Sequence, residues 1–157
     1  MKTVIKLAGA LLEDDATVRT LARQIAALAQ QGEEILEHTG VSEDRLIFST
    51  HLLPLARGIL STIYVTLREP RSAAEIETVF RKFYTGRPMV RIWPAGSLPE
   101  LQHVAHTNFC DIGFSLDNSG KRLIVVSCLD NLGKGAAGQA VQNFNLTLGI
   151  EEQTALQ

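Results

Sequence analysis

Long hydrophobic runs, a surplus of charge of either sign and a cysteine-rich pattern are all missing from this 157-residue sequence. The most apolar stretches, such as Leu123 to Leu129, stop far short of the ~20 residues a membrane-spanning helix requires, so no transmembrane helix is expected. Fifteen basic residues face seventeen acidic ones, for a net charge of -2. No broad basic surface can then neutralise phosphates, which disfavours nucleic acid and anionic membrane as partners. Met1-Lys2-Thr3 leads directly into Val4-Ile5-Lys6-Leu7, with Glu13, Asp14 and Asp15 close behind. That order leaves no signal-peptide core with a cleavage site, and the expected compartment is the cytoplasm. Only two cysteines occur, Cys110 and Cys128, both in apolar strand-like runs. In a reducing compartment they read as core thiols rather than a disulfide.

What is present is an ordinary globular balance, 45% hydrophobic and 20% charged, enough for one well-buried core. Residues 3–7 form a short apolar strand. The acidic loop after it leads into a helical pattern with Val18, Leu21, Ile25 and Leu28 on one face, capped by Asp14 or Asp15 and ended by Gly32. A short helical turn is expected over Glu33 to His38 and a strand over Leu46 to Thr50. Pro54 and Gly58 then interrupt the chain before a long alternating strand over residues 59–68. Ser72-Ala73-Ala74-Glu75 is a capping box, and it opens a helix whose stripe is Ile76, Val79, Phe80 and Phe83. Strands follow at Met89 to Trp93, Phe109 to Asp117 and Arg122 to Leu129, the last two joined by the turn Asp117-Asn118-Ser119-Gly120. A final helix is expected to carry Ala137, Ala140, Val141, Phe144 and Leu148 inward. The element order predicts an α+β fold, with a largely antiparallel mixed sheet, helices packed on one face and an N-terminal β-α unit.

Several groups of residues invite a chemical reading. Gly133-Lys134-Gly135-Ala136-Ala137-Gly138 fits G-x-G-x-x-G between a strand and a helix, but no second parallel strand and no acidic ribose partner follow. The pattern therefore reads as a small-residue bend for close packing. His103, His106, Cys110 and Asp111 have spacing a metal could use, yet Cys110 belongs to an apolar strand face, so the histidines read as surface residues and no metal is expected. Mid-strand burial keeps Cys110 and Cys128 protonated, and neither is expected to act as a nucleophile. His51 and Arg57 flank the Pro-Gly bend. Two readings stand for them: charge-assisted binding of an anionic substrate, or a strand cap and a paired structural guanidinium.

Three segments together resemble a known family: Phe48-Ser49-Thr50-His51-Leu52-Leu53-Pro54-Leu55-Ala56-Arg57-Gly58-Ile59-Leu60, Asn108-Phe109-Cys110-Asp111-Ile112-Gly113, and Asp130-Asn131-Leu132-Gly133-Lys134-Gly135-Ala136-Ala137-Gly138-Gln139-Ala140-Val141-Gln142-Asn143. They are similar to the C-terminal half of N-acetyl-gamma-glutamyl-phosphate reductase, an NADP-dependent enzyme of arginine biosynthesis, over roughly residues 33–153. The resemblance implies a substrate and dimerisation domain, a homodimer through the sheet, and a final helix near the cofactor. His51 and Arg57 would be its substrate contacts, and Asn131, Lys134 and Gly135 its cofactor contacts. The family's nucleotide-binding domain and its Gly-Cys nucleophile have no counterpart here. The histidine of the family's H-x-P-E-I stretch is also absent, since the matching stretch reads Gln31-Gly32-Glu33-Glu34-Ile35. Val4-Ile5-Lys6-Leu7-Ala8-Gly9-Ala10-Leu11-Leu12 resembles the opening strand and loop of acetylglutamate kinase, with Ala8 where that family has a glycine. The expected organisation is thus a kinase-like β-α appendage over 1–32 and a reductase-like domain over 33–157. Such a chain is expected to dimerise, to lack catalysis by itself and to hold no NADP alone, or else to serve as the substrate subunit of a split reductase completed by a separate nucleotide-binding chain.

Overall fold

The computed structural model describes residues 3–8, 46–51 and 54–156. The expected helix over Val18 to Leu28, its stop at Gly32 and the turn over Glu33 to His38 lie outside the described residues. Six strands form one sheet in the order β2-β1-β3-β6-β5-β4. They are β1 (Thr3–Ala8), β2 (Leu46–His51), β3 (Ile59–Thr66), β4 (Val90–Ile92), β5 (Cys110–Leu116) and β6 (Arg122–Leu129). The centre is antiparallel, β3 with β6 and β6 with β5, while β1 pairs parallel with β2 and β4 parallel with β5. The α+β expectation therefore holds. Strand β1 sits between β2 and β3, meeting the latter through Ile5 opposite Ile63 and Lys6 opposite Thr62.

Alternation along β5 and β6 divides the core between the two sheet faces, because successive side chains of a strand point in opposite directions. On one face, Ile112, Phe114, Leu123 and Val125 pack with Ile76 of helix α1 (Ala73–Phe83), and Phe80 of that helix stacks on Phe114 at 5.7 Å between ring centroids. On the other, Val126 and Cys128 pack with Val104 and Leu101, contributed by the connection from β4 to β5. The Asp117–Gly120 turn forms as expected. Gly120 has φ +69, and a Cβ there would lie 2.6 Å from the Arg71 carbonyl oxygen, so only glycine fits.

Helix α1 starts where the capping box predicts. The Glu75 amide donates to Ser72 Oγ at 3.3 Å, and the Ser72 amide donates to Glu75 Oε2 at 2.8 Å. Its predicted apolar stripe is only half used. Ile76 is buried and Phe80 packs beside it, but Val79 and Phe83 are 65% and 76% exposed. The sheet meets α1 along one narrow line, one i, i+4 row wide.

The final helix departs further from expectation. A π-helical bend, Gly133–Ala137, leads into α2 (Gly138–Thr147). Val141, Phe144 and Leu148, expected inside, are exposed, as are Ala137 and Ala140. The buried side is polar: Gln142 and Asn145. Gln142 Oε1 accepts from Asn108 Nδ2 and Lys134 Nζ, while Gln142 Nε2 donates to Glu152. Asn145 Nδ2 donates to the Glu152 and Thr154 carbonyls, which straps the returning C-terminal segment beneath the helix. Hydrophobic periodicity marks the apolar side of a helix, not the direction in which that side faces. Gln142→Ala, which orphans Lys134 and Asn108 below the helix, is expected to cost about 2–3 kcal/mol, whereas Phe144→Ser stays within about 0.5 kcal/mol. Urea unfolding of the two variants checks both values.

Candidate functional site

The ends of β3, β5 and β6 converge on one buried carboxylate. Asp130, fully buried, follows directly on β6 and accepts four hydrogen bonds. Arg57 Nη1 donates at 2.9 Å, and the amides of His106, Leu132 and Gly133 donate at 2.6, 2.8 and 2.9 Å. An aspartate two and three residues ahead of free amides is well suited to this, since its short side chain folds back onto its own backbone. The Asp130 carbonyl accepts in turn from the Gly135 amide at 2.8 Å. Next to it, Asn131 Oδ1 accepts from the Gly58 amide at 2.9 Å. The Pro-Gly bend before β3 and the glycine-rich bend after β6 are thereby tied together. Burial pushes the Asp130 carboxyl pKa up, but the Gly133, His106 and Leu132 amides and the Arg57 guanidinium outweigh it and hold it below its ordinary value.

The glycine-rich bend is explained by contact with its own protein. A Cβ on Gly133 would stand 2.7 Å from the Thr107 carbonyl oxygen, and one on Gly138 would stand 2.1 Å from Asn108 Oδ1. The first and third glycines of the motif thus let the bend press against residues 107 and 108, and the reading as a close-packing bend holds. Gly135, the middle glycine, is exposed. Lys134 turns under α2 to Gln142; burial lowers its pKa, with Cys110 and Glu152 partly offsetting. Asn131 is spent on Gly58. With two glycines facing inward, the lysine turned under the helix and the asparagine engaged, these residues do not fit a dinucleotide cradle by themselves.

The other sequence-singled residues separate. His51 is exposed at the end of edge strand β2, and among the described residues no contact joins it to Arg57. The histidine that meets Arg57 is His106, whose Nδ1 lies 2.9 Å from Nη1. His103 stacks on Trp93 with centroids 4.9 Å apart. Asp111 pairs with Arg91 and accepts from Trp93 Nε1 at 3.0 Å, on the sheet face opposite Cys110. Four ligand-type residues close in sequence therefore point to different places. Cys110 lies 3.5 Å from Ser127 Oγ, and burial raises its pKa, partly offset by Ser127 and Lys134. Cys128 donates to the Pro99 carbonyl, and burial, with Asp111, Cys110 and Glu100 adding to it, pushes its thiol up to about 12. Both are protonated thiols near neutral pH, although Cys110, expected mid-strand, opens β5 and is half-buried, while Cys128 is fully buried.

Residues that sequence reasoning missed are Asp130 as a hub, His106 as the partner of Arg57, and Gln142 under α2. For Asp130 a signal was available, because an aspartate at a strand end just before a glycine run is a turn-capping pattern. The Arg57–Asp130 pair spans 73 positions and leaves no local trace.

A mixed sheet with an antiparallel centre, one helix laid on it and a capped glycine-rich bend make an α+β domain. Residues 29–131 match the family described as semialdehyde dehydrogenase, dimerisation domain, and the chain belongs to that family. Its relatives include the N-acetyl-gamma-glutamyl-phosphate reductase of Pelotomaculum thermopropionicum, 51% identical over 109 residues that make up 69% of this chain and 31% of the relative. The reductase of the same description from Desulforapulum autotrophicum is 47% identical over 125 residues, 80% of this chain and 36% of that one. The chain thus spans about a third of the length of these relatives. A solved aspartate semialdehyde dehydrogenase II from Vibrio cholerae, complexed with ASA, shares the fold with a TM-score of 0.59 at 14% identity, over 94% of this chain and 54% of that one. Among the described residues no helix is long and apolar enough to cross a membrane.

Asp130→Asn removes the charge that Arg57 answers and is expected to cost about 2–3 kcal/mol near neutral pH. A carboxyl held below its ordinary 3.8 stabilises the fold above that value, and the contribution disappears as pH falls through the lower folded-state value. Acid unfolding followed by circular dichroism therefore shows a shallower pH dependence in Asp130→Asn than in the parent below about pH 4.

Proposed function

We propose that this chain is the dimerising, substrate-side part of an N-acetyl-gamma-glutamyl-phosphate reductase, and that by itself it does not complete the NADP-dependent reduction of the acyl phosphate to the semialdehyde. The observation carrying this reading is the pairing of 51% identity to a reductase with a span of only 31% of that reductase. The chemistry supports it. An acyl-enzyme needs a thiolate, and half-buried Cys110 and buried Cys128 both have raised pKa values. We assign no catalytic residue to the chain. In this reading Arg57 and His51 lie on the substrate side, and the exposed outer edge of the glycine-rich bend at Gly135, with Asn131 and Lys134 behind it, faces a cofactor held by another domain. The partner is a second copy of the chain, in the cytoplasm. The division into a kinase-like unit over 1–32 and a reductase-like domain over 33–157 belongs to this reading too. Of that first unit, strand β1 pairs in the sheet between β2 and β3.

A second reading has its own support. Val141, Phe144 and Leu148 leave an apolar side of α2 uncovered, as expected of a subunit whose nucleotide-binding domain arrives on a separate chain. In that case the chain is the substrate subunit of a split reductase.

Sedimentation of the purified chain is expected to give a dimer, and NADPH oxidation with the acyl phosphate is expected to stay at background. Mixing with a nucleotide-binding domain from one of the reductases separates the readings: restored turnover establishes the split enzyme, and continued silence leaves the non-catalytic domain. Turnover by the chain alone, or a monomer at all concentrations, overturns the first.

A further inference from the structure

Nitrogen Nη1 of Arg57 has a partner for each of its protons, Asp130 Oδ2 at 2.9 Å and His106 Nδ1 at 2.9 Å. A guanidinium donates at every nitrogen and accepts at none, so Nδ1 is the acceptor in the second contact. That sets the tautomer of His106, whose proton then lies on Nε2. Asp130 Oδ2 also accepts from the His106 amide at 2.6 Å. Arg57, Asp130 and His106 thus close a ring of three hydrogen bonds, to which His106 contributes both its amide and its imidazole.

The two contacts of Nη1 act differently. A bond to Asp130 alone fixes where Nη1 lies but leaves the guanidinium able to swivel about that bond. A second acceptor on the same planar nitrogen sets the plane, because both N–H bonds lie in it. Arg57, with its side chain 32% exposed, lines a cleft of about 240 Å³ together with His106, Thr107 and Asn108. The plane that His106 sets is therefore the one the arginine presents to this cleft.

The backbone of His106 supplies an independent observation. Its φ is +62, in the left-handed region where glycine is at ease and a side chain is penalised. Glycine could make the same turn and still give its amide to Asp130, so the turn by itself gives no reason for an imidazole. Strain retained in this way points to a task for the side chain.

We propose that His106 is a positioning residue for Arg57, its neutral imidazole, protonated on Nε2, holding the guanidinium plane that faces the cleft. That Arg57 lies on the substrate side belongs to the reductase reading. The assignment of His106 stands apart from it, since the arginine itself is the readout, without substrate, cofactor or turnover.

The test is NMR of the ¹⁵N-labelled full chain at about pH 8, comparing the parent with His106→Gly and His106→Asn. Long-range proton–nitrogen spectra of the parent are expected to show His106 Nε2 protonated and Nδ1 bare. Exchange between the two Nη signals of Arg57 reports rotation of its guanidinium. His106→Gly, relaxed at this φ, is expected to remain folded in urea as the parent does, yet to speed that rotation by about tenfold or more through loss of one charge-assisted hydrogen bond. His106→Asn tolerates the left-handed backbone and offers Oδ1 as an acceptor, and should restore slow rotation. A proton on Nδ1 in the parent, slow rotation in the glycine variant, or rotation in the asparagine variant as fast as in the glycine variant overturns the proposal. A glycine variant that fails to fold overturns it too, because the imidazole would then serve the fold rather than the arginine.

Discussion

The buried negative charge of Asp130 organises this domain. Four donors from three segments converge on Asp130: a guanidinium from the bend before β3, an amide from the 104–108 turn, and two amides from the bend after β6. A carboxylate out of water is tolerable only when all its acceptor capacity is met, so these segments must arrive together or not at all. The close contacts of Gly133 and Gly138 with residues 107 and 108 follow from that convergence. So does the adjacency of Gly58 and Asn131. What sequence reading sees as two separate motifs, a Pro-Gly bend and a glycine-rich bend, is one structural unit.

Around that unit the sheet is conventional in its physics. The two faces of β5 and β6 bury separate apolar clusters, one under α1 and one under the connection from β4 to β5. A second ion pair, Arg91 with the fully buried Asp111, anchors that connection, reinforced by the Trp93 indole and by the Phe109 ring lying 4.3 Å from the guanidinium carbon. Both aspartates sit at or next to strand ends, each answered by an arginine from a different part of the chain. Such pairs contribute less to net stability than to fixing which segments lie together.

Much of the fold was legible in the sequence because it rests on local rules. The Ser72–Glu75 box, the Asp117–Gly120 turn and the strand over Arg122–Leu129 are decided within a few residues, and all three appear where they were expected. The site was less legible, for two physical reasons. The partners of Arg57 lie 49 and 73 positions away, beyond any periodicity, and a histidine near in sequence, His51, was the natural but unmet candidate. The direction of α2 also failed, because its apolar stripe and its packed face are opposite sides of the helix. Val141 and Phe144 fit an inward stripe in the sequence, while Gln142 and Asn145 hold the inward positions in the structure.

That inversion affects how α2 can be seated. A helix held by an apolar face is bound by contacts that carry no directional demand of their own. Gln142 gives its carbonyl to Lys134 and Asn108 and its amide to Glu152, an arrangement that a shift of one residue would dismantle entirely. Helix α2 is therefore held at a single azimuth, and any surface that later covers Val141, Phe144 and Leu148 meets them already aimed.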